Sequence, residues 1–237
     1  MTPRDRYRAQ IKRWAALREA ASARAATISR LRLLSFFSGV ILLVAAAGEG
    51  STSIAVLGAT AFAAFTYLVV RHARVLADVD RADAALTIGA EGLARLARDW
   101  NALPDILPPQ ELSLDRHPYA RDLDLYGHAS LTNWLGRTAT RDGAARLASW
   151  LLAPADVDTI RARQAAIDEL APKHDWRESL AIQGRLSDAT SEGLSAFLAW
   201  AEGVAPSLPP ALKLFAFTLP PITWALLAVW GADAIHR

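Results

Sequence analysis

The sequence predicts an all-α fold: a transmembrane helical hairpin, a cytoplasmic helical core domain and a third hydrophobic helix near the C-terminal end. Three observations predict it. Leu33–Gly48 (LLSFFSGVILLVAAAG) and Ser51–Val70 (STSIAVLGATAFAAFTYLVV) are uncharged runs of sixteen and twenty residues. From Arg71 onward, apolar residues recur at helical spacing, with capping residues and prolines between the runs. No polar–apolar alternation is long enough to make a useful strand.

The hairpin comes first. A helix needs roughly 20 apolar residues to cross a bilayer core. Only Gly48-Glu49-Gly50-Ser51 joins the two runs, which is room for a turn, so residues 33–71 are expected to form a hairpin. Both runs are apolar all round and leave no solvated face. That disfavours the competing arrangement, a hairpin buried in a soluble protein. A second apolar run follows the first directly, and no small-x-small cleavage site stands out, so a signal peptide is also disfavoured.

Charge sets the orientation. The net charge of +2 conceals an asymmetry: residues 1–32 hold nine Lys/Arg and two acids, whereas residues 71–213 hold sixteen Lys/Arg and twenty acids. Arg24, Arg30 and Arg32 precede the first run, Arg71 and Arg74 follow the second, and Glu49 is the only charge in the turn. Cytoplasmic flanks carry the excess of Lys and Arg. A multi-pass protein of the cytoplasmic (inner) membrane follows, with the basic arm 1–32 and the central region on the cytoplasmic side.

Residues 72–103 continue the second span as an amphipathic helix. Leu76, Asp83, Ala90 and Ala97 fall at one heptad position, and Val79, Leu86, Leu93 and Trp100 at the other. Gly89 and Gly92 weaken this helix, by roughly 1 kcal/mol each relative to Ala. It packs on its neighbours, with dimerisation through the seam as the alternative. Residues 104–125 are a Pro-rich connector without periodicity.

A helical domain then spans 126–211. Thr138 or Thr140 caps the helix RDGAARLASWLL, Asp142 suits its first turn, Leu147, Trp150 and Leu151 form its apolar face, and Pro154 stops it. Arg137 is placed to bond carbonyls at the end of the preceding short helix. Asp156 or Asp158 caps the next helix, along which Ile160, Gln164, Ile167 and Leu170 lie three or four apart, and Pro172 ends it. HDWRESLAIQGRL and SEGLSAFLAWAEG make two more. Residues 212–237 hold the third span, nineteen uncharged residues from Leu214 to Ala232, kinked at Pro220-Pro221. A chain that stops just beyond it is expected to be a portion of a longer architecture.

Enzyme chemistry is not visible. The chain has no cysteine, so thiol nucleophiles, disulfides and Cys-type zinc sites are excluded. Neither a P-loop, G-x-G-x-x-G, H-E-x-x-H nor G-x-S-x-G occurs, and the five histidines have no metal-ligand spacing. No catalytic, cofactor or metal residue is assigned. Arg137, Arg141, Arg161 and Arg163 can touch phosphates, but on helix faces near Asp156, Asp158, Asp168 and Glu169 ion pairing or solvation is the expected role. The acidic middle region argues against strong nucleic-acid binding.

Residues 130–170, SLTNWLGRTATRDGAARLASWLLAPADVDTIRARQAAIDEL, resemble the core (lever) region of MutS-family ATPases. The resemblance rests on a Ser-Leu helix, an Arg-Thr-x-Thr-x-x-Gly turn, a Leu/Trp-rich helix, a Pro and an Ile-x-x-Arg-Gln helix. The matching positions are Ser130, Leu131, Leu135, Arg137, Thr138, Thr140, Gly143, Leu147, Trp150, Leu151, Pro154, Ile160, Arg163, Gln164 and Leu170. HPYARDLDLYG, just upstream, is similar to the membrane-anchored MutS-like branch. The resemblance implies a DNA mismatch repair-related, ATP-binding family, with ATP and Mg bound by a C-terminal domain outside this chain. It implies mismatched DNA as a partner too, yet the mismatch-reading Phe-x-Glu is absent here, and no room exists for the clamp insertion.

The favoured reading is a membrane-anchored MutS-like protein represented by its anchor and lever, which couples an ATPase to a partner or DNA. The alternative is a stand-alone membrane scaffold whose helical domain binds proteins or itself and has no ATPase. A weaker option is DNA tethering through the basic arm, whose arginines also suit anionic lipid at roughly 1 kcal/mol each.

Overall fold

A computed structural model of the chain describes residues 2–108, 117–187, 191–203, 215 and 217–219. It is all-helical among these residues, with no strand and a single isolated antiparallel bridge, Ile106 to Gly127. The chain divides into two compact units, Met1–Ala189 and Thr190–Arg237. In the second unit, helix α7 (Ser191–Glu202) exposes Phe197, Leu198 and Trp200. The third apolar run expected over 214–232 lies almost wholly outside the described residues.

Two helices dominate the first unit: α1 (Pro3–Glu49, 47 residues) and α2 (Thr52–Ala97, 46 residues). At 1.5 Å per residue each is about 70 Å long. The basic arm is therefore not a separate element but the first two-thirds of α1. Its start is fixed by a capping box: Thr2 Oγ1 accepts from Asp5 N–H, and the Asp5 carboxylate accepts from Thr2 N–H, with Pro3 at the first helical position. The turn uses Gly50 at φ +65°, a left-handed conformation that ends α1 without a Cβ penalty.

The two helices run antiparallel in a register set by that turn, so residues equidistant from it meet. A Cβ at Gly58 would lie 2.8 Å from Leu43 Cγ, one at Gly89 2.7 Å from Ile11 Cγ1, and one at Gly92 2.4 Å from Tyr7 Cε1. Arg18 bonds Asp83 between them. The glycines read as weak points of α2 are thus where α1 comes closest. The packing line on α2 follows Val79, Ala82, Leu86, Gly89 and Leu93, with Ala85 and Gly92 beside it. Of the two predicted heptad lines, the one through Val79, Leu86 and Leu93 faces α1. The line through Leu76, Asp83, Ala90 and Ala97 is displaced by one residue, and Leu76, Ala90 and Ala97 are exposed. Close antiparallel contact selects small side chains, and a seam traced through large ones misses them.

The half of the hairpin nearest the turn differs in kind. Both helices are long and apolar enough to cross a membrane, and in their most apolar 18-residue windows only 11 % and 6 % is buried. Leu34, Phe37, Ile41, Val44, Val56, Leu57 and Val70 point outward. Between the helices sits an aromatic cluster, with Phe36 5.3 Å from Phe65 and 5.8 Å from Phe62, packed beside Gly39. Small residues that let backbones approach, with apolar bulk facing out, are how helices associate in lipid. Arg30 and Arg32 on α1 lie level with Arg71 on α2, so the charges return on both helices at one height.

The opposite half, the base of the hairpin, carries the remaining helices of the first unit: α3 (Leu131–Leu135), α4 (Arg141–Leu152), α5 (Val157–Leu170) and α6 (His174–Leu186). α6 packs along α2. Its ion pairs reach both hairpin helices: Arg13 to Glu178 at 2.7 Å and Arg185 to Glu91 at 2.5 Å. Trp14 also donates its indole N–H to Glu178.

Candidate functional site: a helical joint on the base of the hairpin

The resemblance-bearing stretch forms a joint between short helices. Ser130 caps α3, accepting from Asn133 N–H, and Ser130, Thr132 and Asn133 are all buried. Their polar atoms are satisfied locally: Ser130 Oγ lies 2.9 Å from Asn133 Oδ1, and Asn133 Nδ2 donates to the Pro104 carbonyl at 3.2 Å. The described ends of the 104–125 segment are therefore pinned. Leu125 and Ala120 are buried, and Thr132 N–H donates to the Leu125 carbonyl. Trp134 stacks near Trp100 at 5.9 Å, holding α3 against the end of α2.

Gly136 ends α3 at φ +94°, with the Arg95 guanidinium 3.2 Å from where a Cβ would stand. The Arg-Thr-Ala-Thr loop then crosses α6. A Cβ at Gly184 would lie 2.4 Å from Ala139 Cβ and 2.7 Å from the Ala139 carbonyl oxygen, so Gly184 is the seat of the loop. Thr140, not Thr138, caps α4: its Oγ1 accepts from Gly143 N–H at 3.1 Å, while Thr138 Oγ1 donates to the Thr140 carbonyl. A Cβ at Gly143 would press to 3.0 Å from that capping oxygen. Asp156, not Asp158, caps α5, accepting from Thr159 N–H at 2.8 Å.

Not every motif residue joins this arrangement. Arg137 makes no hydrogen bond among the described residues and does not bond the end of α3; it lines a cavity instead. Trp150 and Arg163 do meet, the guanidinium 4.3 Å from the indole centroid. Leu147 and Leu151 are half-buried, but Trp150 is 45 % exposed, and Ile160 and Gln164 are exposed on α5. Leu131 and Leu135 are exposed in part, and exposed Pro154 follows the end of α4. Arg161 is ion-paired with Asp158 at 3.7 Å, as its neighbourhood suggests. His117 and Tyr119 of the HPYARDL segment hold the end of α4: His117 Nε2 lies 2.8 Å from the Leu152 carbonyl.

The joint borders an open cavity of about 600 Å³ between α1, α2, the loop and α6. Its lining brings six arginines, Arg6, Arg13, Arg95, Arg137, Arg177 and Arg185, against three carboxylates, Glu91, Asp175 and Glu178. Sequence reading reaches only Arg137 of these. The others come from three segments, residues 6–13, 91–95 and 175–185, and no spacing rule brings them together. Among the described residues no group of three His, Asp or Glu side chains is placed to hold a metal ion.

Comparison with known protein families, with curated proteins and with solved structures returns no match for this chain.

Two expected results test the caps. Thr140→Val removes the oxygen that satisfies Gly143 N–H and should destabilise the helical platform by about 1 kcal/mol, read in denaturant unfolding of the detergent-solubilised chain. The Asp156 carboxyl is held below the usual aspartate range, first by the Thr159 N–H and then by the Thr159 hydroxyl. Its cap is therefore fully present above the ordinary value of about 3.9 and is lost as pH falls through the lower folded value. Hydrogen exchange should show the first turn of α5 opening in that acid range. In Asp156→Asn, a non-titrating cap, the same amides should show no such step.

Proposed function

We propose that this chain is the membrane anchor and non-catalytic lever of a MutS-like protein. The hairpin fixes it in the cytoplasmic membrane, with the N-terminus and the helical platform α3–α6 on the cytoplasmic side. The platform couples an ATP-binding domain outside this chain to a partner at the membrane face. One observation carries the coupling. The Arg-Thr-x-Thr loop is seated on α6 at Gly184, and α6 is ion-paired to both hairpin helices through Glu178 and Arg185. A force applied to α3–α5 then reaches the anchor through packed and charged contacts rather than through a flexible linker. The anchor itself rests on two helices of spanning length whose apolar side chains face outward.

A stand-alone scaffold is favoured by a different observation. Trp150, Val157, Ile160 and Ile167 are all exposed on α4 and α5, an apolar surface open to a protein partner. Nucleotide separates the two. A photocrosslinker on Ser149→Cys of the full chain in native membranes should capture a P-loop-bearing polypeptide, in yields that change when ATP replaces ADP. Capture indifferent to nucleotide contradicts the lever and supports the scaffold.

A further inference from the structure

We propose that the cavity at the base of the hairpin is a binding site for a soluble phosphate-bearing small molecule. Six guanidinium groups face three carboxylates there, an excess of three positive charges in one concavity. The carboxylates are unevenly used. Glu178 accepts from Arg13 at both oxygens, at 2.7 and 2.8 Å, and from the Trp14 indole, and Glu91 is held by Arg185 at 2.5 Å with Arg95 4.0 Å away. Among the described residues Arg6, Arg137 and Arg177 have no carboxylate partner. Arg6 instead bonds the His174 ring, its Nη1 3.0 Å from Nδ1 and 2.5 Å from Nε2, a neutral partner that leaves the guanidinium charge uncompensated.

Gln10 lines the same cavity, and its Nε2 is buried with no hydrogen-bond partner among the described residues. A buried donor left unmade is costly.

These donors select the ligand. Guanidinium forks match phosphate oxygens two at a time, and a dianion meets more of the excess charge than a single carboxylate does. The cavity is larger than a phosphate and lies in the size range of small-molecule sites. Tyr7, Ile88 and Leu180 provide an apolar wall, room for the organic part of a phosphate ester beside the phosphate group that the arginines hold. A lipid headgroup is excluded by reach. Gln10 lies 23 residues before Leu33 on one helix, which at 1.5 Å per residue is about 35 Å from the apolar half.

The test uses the full chain in nanodiscs of zwitterionic lipid, titrated calorimetrically with inorganic pyrophosphate at constant ionic strength. Saturable one-site binding is expected. Arg137→Gln should weaken it at least about tenfold, Arg137→Lys should restore it only in part, and Arg161→Gln, on remote α5, should leave it unchanged. Arg137 is exposed and makes no hydrogen bond among the described residues, so its loss should not disturb folding; Arg6→Gln provides a second variant with the same expectation. Adding anionic lipid to the discs should not compete. Absence of saturable heat, equal binding by wild type and both variants, equal loss in Arg161→Gln, competition by anionic lipid, or citrate binding without pyrophosphate binding would each overturn the assignment.

Discussion

Gly184→Val is expected to release the Arg-Thr-x-Thr loop from α6 and to destabilise the platform by about 3 kcal/mol, the upper end of the usual cost of overpacking. The added carbons would fall on the Cβ and the carbonyl of Ala139, at 2.4 and 2.7 Å from the first of them. A backbone carbonyl cannot rotate out of the way as a side chain can. Helix propensity works in the other direction, since Gly in a helix interior costs about 1 kcal/mol relative to Ala. Gly184→Ala should therefore also destabilise, by less. Thermal unfolding in detergent, with hydrogen exchange over residues 137–143, reads both effects. A stabilised Gly184→Ala would show that the loop does not sit on this glycine.

Gly92→Leu should open the base of the hairpin. A Cβ there meets Cε1, Cζ and Cδ1 of the Tyr7 ring at 2.4 to 2.8 Å, and the rest of a leucine has no space beyond it. Overpacking of this kind costs about 1–3 kcal/mol. It would also pull α1 away from α6, straining the Arg13–Glu178 pair. Here the obstacle is a side chain, which gives the prediction its check. Tyr7→Ala removes the ring, so the double variant should recover much of the lost stability, and the non-additivity measures the contact. Additive losses would mean that the two residues do not meet.

The contrast between these glycines also shows what the sequence could and could not reveal. The hairpin was readable because two long uncharged runs share a turn of four residues. The caps of α4 and α5 were readable because Thr140 and Asp156 stand just before helical runs that Pro154 and Pro172 punctuate. Local chemistry decided these features, and local chemistry is what a sequence displays. The seam of α2 was half legible. Val79, Leu86 and Leu93 announced one line, while the other ran through Ala82 and Gly89, residues whose value is their smallness. Gly92 looked like a defect and Gly184 drew no reading, because the partners that need the space, Tyr7 and Ala139, lie 85 and 45 residues away. The cavity was illegible for the same reason, its arginines being contributed by α1, α2, the loop and α6.

The joint itself was read as structural, with no reacting group, and its described geometry is that of caps and close approach. Arg137 departs from expectation: rather than closing the preceding helix, it lines the cavity. The α3 end is closed instead by Gly136 N–H bonding the Thr132 carbonyl at 2.9 Å, which leaves the guanidinium free for another use.

The absence of cysteine allows the membrane arrangement to be tested directly. Single cysteines at Ser51, in the hairpin turn, at Ser22, toward the base, and at Ser187, just past the end of α6, can be labelled in intact cells with a membrane-impermeant maleimide. Ser51→Cys should label from outside without permeabilisation, whereas Ser22→Cys and Ser187→Cys should label only once the membrane is opened. Labelling of all three positions from outside, or protection of Ser51→Cys with labelling of the other two, would contradict a hairpin whose turn crosses the membrane and whose base and platform stay in the cytoplasm.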